Sequence, residues 1–275
     1  MISSPKNQHR LGAVSFFNTL PLIDGLERVQ DLRILQDVPS RLINHLMSGD
    51  TDISLCSVID HQTSPQEIEL VPVGLIGCDG VTDTVGLFSR CPIKEITQVA
   101  CDVDSHTSVV LLQVILAQAF GIEPTIVPFD ATEDDVIPDS VLLIGDKVIH
   151  TAPSIETHPH RIDLGDAWKS LTGLPFVFGA WFRRCEDDDR KDHARRLAIL
   201  LDHCRRHNRE RIDAIIAREA PLRGWDQEHA RRYLCEYLRF SPTPDRIEAI
   251  REFHRRALDV GAISELRELR IAEVG

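Results

Sequence analysis

The densest group of ligand-capable side chains is Asp104-Ser105-His106-Thr107-Ser108, set directly before the apolar run VVLLQVILAQAF. Hydroxyls at a helix start cap its first amides. Those amides, unpaired at the positive end of the helix, also form a site for a carboxylate or phosphate. The pattern fits both uses, and capping alone needs no ligand. Asn18 follows LGAVSF, which reads as a strand. Ligands of open α/β sheets sit beyond the carboxyl ends of strands, and an amide there can donate and accept at once. A turn residue ahead of Pro21 is the plainer alternative. Asp79-Gly80 separates two apolar stretches, where glycine supplies a positive φ or lets backbone approach a ligand. Thr84 stands at the edge of the second stretch, and Asp146 follows VLLIG at another strand end. Either serves equally as a turn residue.

Other chemistries lack their residues. The chain has no G-x-G-x-x-G after its first strand, no G-x-x-x-x-G-K-[ST] and no G-x-S-x-G, so dinucleotide, P-loop and serine-hydrolase sites have no anchor. Twelve histidines raise the question of a metal. His203 and His207 are spaced for one helix face, but they lie among Arg205, Arg206 and Arg209, which marks a solvated surface. His150, His158 and His160 cluster without an acidic ligand at metal spacing. No metal is expected. The seven cysteines, Cys56, Cys78, Cys91, Cys101, Cys185, Cys204 and Cys235, are odd in number and include no C-x-x-C. They read as thiols of a reducing, cytoplasmic compartment.

The elements that must position these groups follow from periodicity. Strands are expected at 11–16, 32–37, 52–59, 70–76, 84–89, 97–102, 124–129, 141–145, 160–164 and 175–182. Helices are expected over 20–28, over RLINHLMSGD, and from Ser105 to a stop at Gly121. Everything after about 187 reads as helix, broken at Pro221 and at Pro242/Pro244. Strands alternating with helices over 11–145 favour an α/β fold with mostly parallel sheets.

The 275 residues are 43% hydrophobic and 27% charged, as in an ordinary globular protein. The net charge of -12 opposes nucleic-acid binding. Residues 1–182 carry 10 Lys/Arg against 24 Asp/Glu, while residues 183–275 carry 21 against 19. The acidic part is thus followed by a mixed, helical one. No apolar run approaches a membrane span, and the polar start MISSPKNQHR reads as no secretory signal.

Six stretches carry a family resemblance: GAVSFFNTLP at 12–21, VPSRL with SGDTDISLCSVID at 38–60, DGVTDTVGLFSR at 79–90, DSHTSVVLL at 104–112, LLIGD at 142–146, and DLGDAWKSLTGLPFVFGAW at 163–181. In this order they resemble the MqnA family, the chorismate dehydratases of the futalosine route to menaquinone. The resemblance implies a two-lobe fold like a type II periplasmic binding protein, with the ligand cleft between lobes. Residues 1–89 and 176–275 would form the larger lobe and 90–175 the smaller. It implies loss of water from chorismate to give 3-[(1-carboxyvinyl)oxy]benzoate, with no cofactor.

Position by position, Asn18 matches the family's asparagine and would orient the reacting hydroxyl. Thr84 stands where the family pattern has serine, keeping the hydroxyl and adding a methyl. Ser105, Thr107 and Ser108 match the helix-start motif that would hold a carboxylate, with His106 in place of a commoner arginine. Ser57, Asp79, Gly80 and Asp146 complete the implied binding set. No histidine or glutamate in these motifs stands out as the base, so the substrate's enolpyruvyl carboxylate would take the C3 proton. Two rivals share the fold: the sister enzyme that makes 1,4-dihydroxy-6-naphthoate, and a non-catalytic carboxylate-binding homologue. The first-strand and TGLPFVF motifs favour the dehydratase. The expected partner is the small-molecule substrate, with no nucleic acid and no membrane, and the chain would be a monomer or a homodimer.

Overall fold

The computed structural model describes residues 8–131, 136–185 and 191–274. Two mixed sheets form its frame. The first has six strands in the order β11-β4-β10-β3-β1-β2. It contains β1 (His9–Val14), β2 (Leu32–Asp37), β3 (Ile53–Ser57), β4 (Ile68–Cys78), β10 (Phe176–Arg184) and β11 (Leu238–Arg239). The second has five, ordered β7-β6-β8-β5-β9. Its strands are β5 (Val85–Ser89), β6 (Gln98–Asp102), β7 (Thr125–Phe129), β8 (Ser140–Ile144) and β9 (His160–Asp163). β5 closes the segment 1–89 assigned above to the larger lobe, yet it pairs with β8 and β9 in the second sheet.

The chain passes between the sheets twice, through residues 79–84 and again through 173–175. These crossings correct the expected mostly parallel pairing. Strands β1, β2 and β3 run parallel, as do β6, β7 and β8. The strands that carry the crossings, β4, β5 and β10, pair antiparallel. A strand that enters a sheet from the other lobe need not follow a βαβ crossover, so its direction is set by the linker.

The helix expected from Ser105 is α4 (His106–Ile115), which continues as a π-turn over Leu116–Phe120 and stops at Gly121. Ser105 is its N-cap and accepts the Ser108 amide at 3.2 Å. Leu111, Leu112, Val114 and Ile115 are buried along it, and each such side chain contributes about 1.5–3 kcal/mol of burial. Helix α6 (Leu164–Thr172) begins on Asp163, whose carboxylate accepts the amide of Asp166. It also accepts the amides of Thr82 and Asp83. One half-buried carboxylate therefore ties the first crossing to the helix that precedes the second.

The charged C-terminal part packs as α7 (Lys191–Glu210), α8 (Ile212–Leu222), α9 (Gln227–Arg232) with a π-turn over Tyr233–Tyr237, and α10 (Pro244–Asp259). Two expectations are corrected here. Pro221 lies inside the last turn of α8 rather than between helices, where the amide it lacks removes a single bond. Leu238–Arg239 leaves the helix to pair with Cys78 and Gly77 on the edge of the first sheet. The helix expected over 20–28 shrinks to Leu20–Ile23 and a 3₁₀ turn at Leu26–Arg28, because Gly25 between them adopts φ +89°. Among the described residues no helix is long and apolar enough to cross a membrane.

Candidate active site

A narrow cavity of about 50 Å³ opens between the two sheets, in the kind of cleft where small-molecule sites preferentially form. The first sheet supplies Val14, Leu55, Cys56, Ser57, Ile76, Phe178 and Gly179, and the second supplies Val85 and Ile144. Phe16, Thr82, Thr84, Ser105 and Gly145 come from the loops and caps at strand ends, Asn18 from a 3₁₀ turn after β1, and Ser108 from the first turn of α4. Strand carboxyl ends converge on it from both sides, as ligand sites of such sheets require.

Of the residues anticipated, Asn18, Ser57, Thr84, Ser105 and Ser108 line the cavity. Four lie outside its lining. Thr107 is buried behind it, where its hydroxyl accepts the Ile59 amide at 3.3 Å and so joins α4 to the first sheet. Asp79 pairs with Lys169 at the surface, 2.6 Å away. Gly80 adopts φ +112° and serves the crossing turn. Asp146 opens α5 (Asp146–Thr151) next to the cavity residue Gly145, and its carboxylate accepts the Phe17 amide at 3.1 Å. Burial pushes the Asp146 carboxyl above its ordinary range. It acts on the site by fixing the backbone one residue before Asn18.

Tyr233 also lines the cavity. Its hydroxyl lies 2.7 Å from Thr84 Oγ1 and 3.2 Å from Asn18 Nδ2. Its ring stacks on Trp225, which stacks on Phe17, with 5.0 Å between centroids at each step. In sequence this tyrosine has only helical spacing, which signals a core position. The same helix presents His229, whose Nε2 is 2.6 Å from the Asp83 carboxylate. Asp83 sits in the first crossing at φ +69°, a conformation that strains a non-glycine residue.

Electrostatically the cavity is neutral: among the described residues no Lys, Arg, His, Asp or Glu lines it. Its titratable side chains are Cys56 and Tyr233, and burial drives both pKa values up, so both stay protonated. The ionised groups stand one layer back. Lys147 bridges Asp102 and Asp104 at 2.7 and 2.6 Å. His106 faces away from the cavity to Asp60, 2.7 Å off. That bond raises the His106 pKa, while burial raises that of Asp60. The site thus offers an apolar box with hydroxyls, one amide and the positive end of α4. It can bind an unsaturated ring with carboxylates, because those donors replace water without a counter-charge. Among the described residues no group of three or more His, Cys, Asp or Glu is placed to hold a metal ion.

A cleft between two sheets joined by paired crossings is the architecture of the periplasmic-binding-protein fold. The alkanesulfonate-binding protein SsuA of Xanthomonas axonopodis shares it, with TM-score 0.68 and 14% identity over 97% of this chain and 96% of that one. So does a Candida albicans protein described as having the generic periplasmic binding protein fold, with TM-score 0.66 and 13% identity over 94% and 92%. Residues 9–259 match the family described as menaquinone biosynthesis, and the chain belongs to that family. The chorismate dehydratase of Thermus thermophilus is 29% identical over 255 residues, covering 86% of this chain and 91% of that protein.

Proposed function

We propose that this protein is a chorismate dehydratase, a hydro-lyase that forms 3-[(1-carboxyvinyl)oxy]benzoate without a cofactor. The relative's near-complete coverage supports the substrate. One observation carries the mechanism: among the described residues the cavity lining holds donors for carboxylates and a hydroxyl but no side chain able to act as a base. The proton at C3 is acidic because it is vinylogous to the ring carboxylate. The enolpyruvyl carboxylate, held beside it, accepts that proton. The C4–O bond then breaks and the ring becomes aromatic. The protein's part is to position the reacting groups and supply hydrogen bonds.

In this reading Ser105, Ser108 and the first amides of α4 hold a carboxylate, Ser57 lies across the cavity from them, and Asn18 with Thr84 meets the departing hydroxyl. Burial of two carboxylates in a neutral box disfavours a dianion unless these donors are all engaged, so each should matter to binding. Turnover of chorismate by the purified protein, followed as loss of its absorbance, tests the assignment. Asn18→Ala should lower kcat by about 10²-fold or more. Near-normal turnover in both Asn18→Ala and Thr84→Ala would place the chemistry elsewhere.

A further inference from the structure

The Tyr233 hydroxyl sits between one obligate donor, Asn18 Nδ2, and one hydroxyl, Thr84 Oγ1. Oη carries one hydrogen and accepts through its lone pairs. Asn18 Nδ2 can only donate, so at 3.2 Å Oη accepts from it. Among the described contacts Thr84 Oγ1 is the acceptor within reach of the phenol hydrogen, at the 2.7 Å usual for an O–H···O bond, so pairing that hydrogen directs it to Thr84. The polarity agrees with acidity, since a phenol donates better than an alkyl alcohol. The orientation of the Asn18 amide agrees as well, because its Oδ1 accepts from Thr19 Oγ1 at 3.4 Å. The backbone oxygen of Thr84 is occupied by the Gly145 amide at 2.8 Å. The remaining hydrogen of Thr84 therefore points into the cavity as a donor.

We propose that Tyr233 is a positioning residue that turns the Thr84 hydroxyl into a fixed hydrogen-bond donor toward the departing oxygen of the substrate. The proposal rests on the dehydratase reading. The carboxyl that took the C3 proton returns it to the oxygen leaving C4, which departs with its bonding pair as water, while the C3–C4 double bond forms. Thr84 donates to that oxygen as negative charge grows on it. Tyr233 keeps Thr84 from spending its hydrogen on Oη instead. The stacked column of Phe17, Trp225 and Tyr233 holds the phenol oxygen in place, and its burial keeps it protonated.

The test is a double-mutant cycle of Tyr233→Phe and Thr84→Val, with kcat and KM for chorismate and a thermal melt for all four proteins. Tyr233→Phe retains the stacked ring. It should lower kcat about 10–100-fold with KM within about threefold. Once Thr84→Val is present, adding Tyr233→Phe should cost less than about twofold more. A kcat within twofold of wild type in Tyr233→Phe, or losses that multiply independently, overturns the proposal. If the wild type leaves chorismate intact, the dehydratase reading fails by itself. The linkage is then read from the melts, where the double variant should shift no further than the larger single shift, and additive shifts would refute it.

Discussion

Gly145 offers a severe test of how the cavity is built. It adopts φ +63° and ψ -149° as the N-cap of α5, a region essentially reserved for glycine. A Cβ built there would meet the Phe16 ring at 2.8, 2.9 and 3.2 Å. Gly145→Ala thus combines backbone strain of about 1–3 kcal/mol with a forced shift of an aromatic wall of the site. The ring is the softer element, so it should move into the cavity. For a chain of this size the strain corresponds to a fall in melting temperature of roughly 2–10 °C. Binding should weaken too, because the displaced ring occupies substrate volume, and KM should rise by about tenfold or more. The assay is a thermal melt with and without chorismate beside steady-state kinetics. An alanine variant with unchanged melting temperature and unchanged KM would refute both the packing and the placement of the ligand.

Three further outcomes follow from other contacts. Thr84→Ser keeps the hydroxyl bonded to Tyr233 and should retain turnover within about threefold, whereas Thr84→Val should lose about 10–100-fold, both read as kcat. Asp146→Ala removes the acceptor for the Phe17 amide and should destabilise by about 1–3 kcal/mol in denaturant titration, with Asp146→Asn recovering part of it. Burial depresses the pKa of His254 to about 3 and that of His61 to about 4. Below pH about 6.5 the unfolded chain binds protons that the folded one refuses, so stability should fall as pH drops toward those values. At pH 5 the loss should be about 2 kcal/mol for each histidine, and His254→Gln should flatten the profile measured by denaturant titration between pH 7 and 5.

Much of this site was legible along the chain because its parts are local. Ser105 is readable as a cap from its place before an apolar run, and it is the cap. Asn18 and Thr84 follow or begin strands, so the rule that ligands gather at strand ends brought them into view. The misses are tertiary. Tyr233 reaches Thr84 from 149 residues away, and its spacing in YLCEYLRF marks only a core face. Leu238–Arg239 is too short to show a strand period, and its pairing depends on the free edge of β4. Asp163 sits at a helix start like many caps, and only the fold brings the crossing amides of Thr82 and Asp83 to it. The mixed strand directions escaped for the same reason, since periodicity reports which face is buried but not which neighbour a strand meets.

The most direct measurement is product identity from chorismate deuterated at C3, with purified protein and no added cofactor. Dehydration through loss of the C3 proton gives 3-[(1-carboxyvinyl)oxy]benzoate free of the label, formed with a primary isotope effect if proton removal limits the rate. Intact chorismate after prolonged incubation, or a product that keeps the deuterium, would contradict it.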